Sequence, residues 1–110
     1  MQKENLIKFC KNILIKLNMD SDKAHTTSEI LVEADMMGHS THGVRLLPNY
    51  VSDIEKGIMK VNGNYKIISE KKSNVRIDGK LLPGMWLTQE GLKIGIEKAR
   101  DFGVSTVTIG

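Results

Sequence analysis

Several residue types that often mark a functional site are scarce in this sequence. Only one of the 110 residues is a cysteine, which excludes an internal disulfide and a zinc site built from four thiolates. Aromatic residues make up 5% of the chain and there are 2 prolines, so aliphatic side chains must supply most of the core. A chain of this size buries roughly 65% of the surface that it exposes when unfolded, which suits one small domain at most.

Long apolar runs and concentrated charge are also missing. The most apolar stretch, near the N-terminus, is interrupted by Lys8, Lys11 and Lys16, which is untypical of a signal peptide or a membrane span. The net charge of +3 is scattered along the chain. Nucleic-acid-binding proteins usually carry a basic stripe with aromatic or arginine readers, and none is visible. We therefore expect a cytoplasmic protein that binds neither nucleic acid nor a membrane.

Hydrophobic spacing predicts two helices in the first part of the chain. Apolar residues recur at helical intervals over 6–17, and a second helix is expected from a cap at Asp20 or Ser21 up to Gly38. The apolar stripe of the first helix suits its own core, a partner or a membrane surface. The lack of aromatic anchors and of a sharply basic face favours the core.

A third helix is predicted from Leu47 to Gly57, with Pro48 in its first turn, and strands follow. The predicted elements after Gly57 are strands at 64–69 and 74–78, a turn at Asp78-Gly79, a loop at 80–84, a helix capped by Thr88 and ended by Gly103, and a strand at 104–110. The sequence therefore predicts an α/β protein, with a helical segment over 1–57 and a truncated mixed-sheet domain over 58–110.

The last predicted helix carries two kinds of surface. Leu92, Ile96 and Ala99 predict an apolar stripe, and Gly91 and Gly95 predict a smooth strip for close packing. The strand that ends the sequence has no predicted neighbour after it. An unpaired strand is a template for association, so we expect its amides to exchange quickly and the chain to self-associate there.

The chemically densest stretch is Gly38–Tyr50, which contains two of the three histidines. On a helix, the spacing of His39 and His42 would let both bind one metal ion, and Asp35 could join them. Zinc needs three or four protein ligands, and neither a third histidine nor a cysteine pair lies nearby in the sequence. We therefore expect no metal site.

The same stretch also suits acid–base chemistry, because histidine titrates near neutrality. If Thr41 caps the following helix, His42 lies at the helix N-terminus, where the dipole favours a neutral imidazole and an anionic substrate. Arg45 adds donors for a carboxylate. From the residues alone, an ordinary capped turn between helices with a solvated arginine is favoured over a catalytic site. Most histidine and arginine residues that are close in sequence do not form a catalytic site.

Two segments resemble a known protein family. The segment EADMMGHSTHGVRLLPNYVSDIEKG is similar to a motif of Ala-Asp, Gly-His, Ser-His-Gly, Arg, Leu-Pro and Tyr. That motif lies near the N-terminus of the malate/L-lactate dehydrogenase family of the second type, which is unrelated to the Rossmann-fold malate and lactate dehydrogenases. The segment VRIDGKLLPGMWLTQEGLKIGIEKARDFGVSTVTIG is similar to the turn, loop, long helix and strand that follow in the same family.

The resemblance implies an NAD(P)-dependent oxidoreductase that acts on a 2-hydroxy or 2-keto acid, using NAD or NADP. It implies a portion of a three-layer α/β/α fold, not a Rossmann fold, and commonly a homodimer. His42 corresponds to the proposed catalytic proton donor, and Thr41 takes the place of a substrate-binding serine. Arg45 is the candidate for the substrate carboxylate. The family arginine normally stands one residue later, at Leu46, which on a helix is a rotation of about 100°.

Family members are much longer than this chain. After the last strand they continue with a second active-site histidine and most of the cofactor contacts, so no residue here is assigned to the cofactor. The resemblance therefore implies an N-terminal fragment of such an enzyme, which we expect to be inactive alone. The alternative is a non-catalytic remnant or a small helical interaction module that pairs with a separate C-terminal half.

Overall fold

The computed structural model describes residues 2–38 and 43–110. The chain forms two compact units, Met1–Asn62 and Gly63–Gly110. Helices form the regular structure of the first unit, whereas the second combines one helix with a three-stranded mixed sheet. The prediction of an α/β protein in which N-terminal helices precede part of a mixed sheet is confirmed. None of the described helices is both long and apolar enough to cross a membrane.

The first unit is built on two packed helices, α1 (Lys3–Lys16) and α2 (Ser21–Met36). A 3-10 turn (Val44–Leu46) and α3 (Leu47–Glu55) follow, with Pro48 in the first turn of α3 as predicted. Most of the buried side chains of α1 and α2 are small or aliphatic, namely Cys10, Leu14, Ala24, Thr27, Ser28, Leu31 and Val32, and Lys23 is the buried charged one, at 3% exposed. Cys10 and Leu14 of the first helix thus pack on the chain's own core, as the sequence favoured, whereas Phe9 of the same apolar stripe is 52% exposed.

The turn between α1 and α2 depends on a residue far away in the sequence. Asn18 adopts a left-handed conformation with φ of 70°, which asparagine tolerates better than most residues. Asp20 occupies the N-cap position, but its side chain makes no capping bond. Its carboxylate instead accepts hydrogen bonds from Lys23 Nζ at 2.9 Å and Asn62 Nδ2 at 2.7 Å. The predicted cap position was right, but the predicted role of the side chain was wrong.

The second unit contains β1 (Lys66–Lys71), β2 (Asn74–Asp78), β3 (Thr106–Ile109) and the helix α4 (Gly84–Phe102). β1 pairs with β2 as an antiparallel hairpin, and β2 pairs with β3 in parallel. Val75 and Ile77 of β2 are buried while Arg76 is exposed, so one sheet face supplies core side chains. Both strands were predicted, but the first begins and ends two residues later than expected.

The helix α4 begins earlier than the sequence predicted. It starts at Gly84, directly after Pro83, and not at a cap on Thr88. The Thr88 hydroxyl donates to the Gly84 carbonyl oxygen at 2.9 Å, a local bond typical of threonine inside a helix. Packing explains the earlier start, because it brings Trp86 into a buried cluster. The members of that cluster are Leu82, Trp86 and Leu87, with Tyr65 packed against them.

The glycines of α4 allow it to lie close to β3, as predicted. A Cβ placed on Gly91 would lie 3.0 Å from Ile109 Cδ1, and the Ser105 hydroxyl donates to the Gly95 carbonyl oxygen at 2.7 Å. The predicted apolar stripe is not buried, however: Leu92 is 55% exposed and Ile96 is 49% exposed. The glycine strip faces the sheet, so these larger side chains lie beside it and line an open groove of about 470 Å³.

The edge strand β3 generates a first prediction, on amide hydrogen exchange. Among the described residues β3 has only β2 as a neighbour. The Thr106 N–H donates to the Ser73 carbonyl oxygen, so alternation directs the Thr108 N–H to β2 and those of Val107 and Ile109 to the other edge. In a dilute monomer, we expect Val107 and Ile109 to exchange about tenfold or more faster than Thr106 and Thr108.

The same experiment has an internal reference in the helical unit. Leu14 and Leu31 are fully buried helix residues, so their amides should be among the slowest to exchange. Protection of Val107 and Ile109 equal to that of Leu14 and Leu31 would contradict the assignment of an open edge. Protection that rises with protein concentration would instead identify association through this edge.

The buried thiol of Cys10 generates a second prediction. Burial, and then the negative charge of Asp35, raise the pKa of this thiol. The unfolded thiol therefore ionises at a lower pH than the folded one, and the free energy of unfolding should fall as pH rises through the ordinary thiol range. Urea unfolding between about pH 7 and pH 10 measures this. A Cys10→Ala chain with an equally steep alkaline decline would contradict it.

Candidate active site

The structure places one of the three predicted site residues. Arg45 lies in the 3-10 turn Val44–Leu46 and is exposed, whereas Leu46 is partly buried. His42 and Thr41 lie outside the described residues, as does His39. The described geometry of the candidate site is therefore limited to the residues on either side of the segment 39–42, which begin at Gly38 and Gly43.

Asp35, in the last turn of α2, forms hydrogen bonds at both borders of this segment. Its carbonyl oxygen accepts the Gly38 N–H at 3.0 Å, before the segment. Its carboxylate Oδ1 accepts the Val44 N–H at 3.2 Å, after the segment. The first bond closes the helix end, where Gly38 has the φ of 82° that favours glycine and ends the helix as predicted. Asp35 thus forms hydrogen bonds with described residues on both sides of the segment 39–42.

Gly43 is a glycine because of the space that Asp35 occupies. Its backbone has φ of −102° and ψ of −150°, an extended conformation that other residues also adopt. A Cβ built on Gly43, however, would overlap Asp35 Oδ1 and lie 2.6 Å from Asp35 Cγ. By contrast, Gly38 has nothing within 4 Å of its Cβ position. The carboxylate therefore packs directly against the backbone that follows His42.

Three ionisable side chains near the segment 39–42 in sequence or acted on by the charge of Asp35 are partly or fully shielded from water, namely Cys10, Asp35 and Tyr50. Burial, and then the charge of Asp53, raise the pKa of the Tyr50 hydroxyl on α3. Asp35 is itself partly buried, and its charge acts on the Cys10 thiol as described above. At neutral pH both Tyr50 and Cys10 are therefore neutral, and Tyr50 can donate a hydrogen bond from its hydroxyl.

The metal hypothesis finds no further ligands in the described part of the chain. Among residues 2–38 and 43–110, no group of three or more histidine, cysteine, aspartate or glutamate side chains is arranged to hold an ion. Asp35, which the sequence suggested as a possible third ligand, directs a carboxylate oxygen to the Val44 N–H. The expectation that this protein needs no metal stays a prediction, since it also concerns His39 and His42.

Sequence reasoning missed the structural role of Asp35. It considered this carboxylate only as a possible metal ligand. The bond between Asp35 and Val44 joins residues nine positions apart, across the turn that ends α2. Periodicity does not predict such a contact.

Comparison with known proteins shows a match between this chain and one protein family. The family model described as malate/L-lactate dehydrogenase matches residues 1–110. Malate/(S)-sulfolactate dehydrogenase of Methanothermus fervidus is 37% identical over 97 residues, which are 88% of this chain and 29% of that protein. The chain thus spans less than a third of the length of this relative, and the relatives match it through their N-terminal part.

Solved structures agree in fold. Malate dehydrogenase of Pyrococcus horikoshii has a TM-score of 0.95 and 31% identity, over 99% of this chain and 31% of that chain. Sulfolactate dehydrogenase of Methanocaldococcus jannaschii has a TM-score of 0.95 and 28% identity, over 99% of this chain and 32% of that chain. The resemblance drawn from the two sequence segments is confirmed. Across its whole length, the chain belongs to the malate/L-lactate dehydrogenase family.

Proposed function

We propose that this chain forms the substrate-side part of an active site in an NAD(P)-dependent oxidoreductase of 2-hydroxy and 2-keto acids. The observation that carries this proposal is the family match over all 110 residues, which includes the histidine segment. The names of the relatives support the substrate class, because they are malate and sulfolactate dehydrogenases. Both substrates are 2-hydroxy acids with a carboxylate next to the reacting carbon.

His42 has the role of proton acceptor and donor in this proposal. Oxidation of a 2-hydroxy acid removes a hydride from carbon and a proton from the hydroxyl oxygen. An imidazole that titrates near neutral pH can take that proton and return it in the reverse reaction. Thr41, the residue before it, keeps the hydroxyl of the family serine and can hydrogen-bond the substrate. These roles of His42 and Thr41 come from the family motif.

Arg45 is the proposed partner of the substrate carboxylate. A guanidinium can bind a carboxylate through two parallel hydrogen bonds. Among the described residues, Arg45 makes neither an ion pair nor a hydrogen bond through its side chain, and it is exposed beside the histidine segment. The family position at Leu46 is partly buried here and cannot bind an anion. The 3-10 turn thus leaves Arg45 available for a substrate.

The nicotinamide cofactor would supply the hydride acceptor. The pyrophosphate of a dinucleotide needs backbone N–H groups or cations around it. The groove between α4 and β3 does not fit this need, because apolar and small residues line it and no charged side chain does. We therefore assign no residue of this chain to the cofactor, and NAD and NADP are equally compatible with the proposal.

A second candidate function rests on the same groove and on the edge of β3. Leu92 and Ile96 are exposed beside this edge, which has a free side among the described residues. These features favour a module that pairs with a separate C-terminal polypeptide of the same family, or with a second copy. In that case the chain contributes binding surface without chemistry of its own.

The proposed function predicts an inactive chain and an active chimera. Expressed alone, the 110 residues should produce no NADH or NADPH from malate, lactate or sulfolactate, because hydride transfer requires the nicotinamide to be held against the substrate carbon. A chimera in which residues 1–110 replace the matching 31% of Pyrococcus horikoshii malate dehydrogenase should oxidise malate. Its His42→Ala variant should lose activity by about 100-fold or more.

The matched control is His25→Ala, since His25 is an exposed residue of α2 whose Nε2 lies 3.3 Å from a carboxylate oxygen of Glu29. We expect this variant to stay within about twofold of the parent chimera, as surface substitutions usually change little. An active chimera that tolerates His42→Ala would contradict the proposed proton transfer. Histidine-dependent activity of the 110-residue chain alone would show that it already contains a complete site.

Arg45 allows an independent prediction in the same chimera. Arg45→Leu should raise the KM for malate about tenfold or more, because the carboxylate loses a charged, bidentate partner. Arg100→Leu removes an exposed arginine at the far end of α4 and should leave the KM within about twofold. Equal effects of the two substitutions would show that Arg45 acts through general charge and does not bind the substrate.

A further inference from the structure

Asp35 connects the borders of the segment that contains His42. Its carbonyl oxygen accepts the Gly38 N–H at 3.0 Å and its carboxylate accepts the Val44 N–H at 3.2 Å. Gly38 and Gly43 flank four residues, 39–42, and both of these glycines lie in contact with or bonded to Asp35. An ordinary helix end needs only the first of these bonds. The second one joins the helix to the turn that carries Arg45.

The packing of Gly43 shows that this arrangement depends on shape as well as on the hydrogen bond. The extended backbone of Gly43 suits any residue, yet a Cβ there would overlap the Asp35 carboxylate. The pair is thus mutually specific, because the carboxylate fits only against a residue without a side chain. An error of about 1 Å in the placement of a catalytic group can lower a rate 100-fold, so such a fit has consequences for chemistry.

We propose that Asp35 is a positioning residue for His42: it holds Gly43 and Val44 against the end of α2 and thereby fixes where the histidine segment ends. This inference rests on the proposed function for its catalytic consequence, but its structural part can be tested without activity. Asp35 itself transfers no proton to the substrate. Its carboxylate is committed to the Val44 N–H, and its negative charge lies against the backbone next to His42.

The structural part is tested by NMR on the 110-residue chain. Asp35→Ala removes the acceptor of the Val44 N–H, so the Val44 amide should exchange about tenfold faster. The imidazole signals of His42 should shift. Those of His25, which lies on the same helix as Asp35, should stay in place. Asp35→Asn keeps an oxygen in the same position and should restore most of the protection at Val44. Unchanged Val44 exchange and His42 signals in Asp35→Ala would overturn the proposal.

A double substitution tests the fit between the two residues. Gly43→Ala should shift the His42 signals and lower the urea midpoint, because its methyl group overlaps the carboxylate. In Asp35→Ala/Gly43→Ala the overlapping atoms are gone, and the next nearest atom to the new Cβ is the backbone N of residue 35, at 3.2 Å. The double variant should therefore lose less than the sum of the two single losses. Strict additivity would contradict a direct fit.

Gly84→Ala is the matched control for the glycine substitution. Gly84 lies at the start of α4, and a Cβ there meets nothing within 4 Å. Glu33→Ala is the control for the loss of a carboxylate from α2, since Glu33 forms only a half-exposed ion pair with Lys3 at 3.6 Å among the described residues. Neither control should move the His42 signals. If either control shifts the His42 signals as much as Asp35→Ala does, the effect is unspecific and the proposal is wrong.

The catalytic part is tested in the chimera with malate dehydrogenase. Asp35→Ala should lower kcat about tenfold or more with KM for malate within about twofold, and Asp35→Asn should keep kcat within about twofold of the parent. If His42→Ala abolishes activity but Asp35→Ala leaves kcat unchanged, the positioning role is wrong and the proposed function stands. If His42→Ala is active, the proposed function is wrong, and the NMR results alone decide whether Asp35 positions the segment.

Discussion

The hydrogen bond from the Val44 N–H to the Asp35 carboxylate is the interaction on which, in our proposal, the candidate site depends. It joins the end of α2 to the turn that carries Arg45, and α2 is in turn fixed by its packing on α1. The core of this unit contains small and aliphatic residues, so the helix pair can pack closely. Asp35, on the packed helix α2, thus contacts the backbone of Gly43 and Val44, and we propose that this contact positions His42.

The second unit has a different character. Its sheet presents a buried face on β2, where Val75 is 3% exposed, but β3 lies at an edge and α4 leaves large apolar side chains exposed. Soluble proteins usually cover such edges and grooves, because both promote association. The chain spans 31% of the length of a solved structure that it matches with a TM-score of 0.95. The exposed edge and groove are consistent with the proposed pairing with another polypeptide.

Much of the fold could be predicted from the sequence, where local rules decide. Helical spacing identified α1, α2 and α3, and the glycines at 38 and 103 ended helices because their backbones have positive φ. The errors have a common cause in contacts between distant residues. Asn62 binds the Asp20 carboxylate that would otherwise cap α2, and the cluster around Trp86 moves the start of α4 to Gly84.

For the site, the sequence supplied His42, Thr41 and Arg45 through the family motif, and the structure added the contact between Asp35 and Gly43. That contact could not be predicted, because it depends on where the chain turns after α2 and not on any repeating pattern.

We propose that the proton of the substrate hydroxyl passes to His42. The most direct measurement is the pH dependence of kcat/KM for malate oxidation by the chimera, compared with that of its His42→Gln variant. We expect the parent chimera to show a limb, that is, a pH range in which kcat/KM changes, near neutral pH, in the ordinary range of a histidine. In the variant this limb should disappear together with most of the rate. A variant that keeps the same limb would show that another group takes the proton, and would contradict the account.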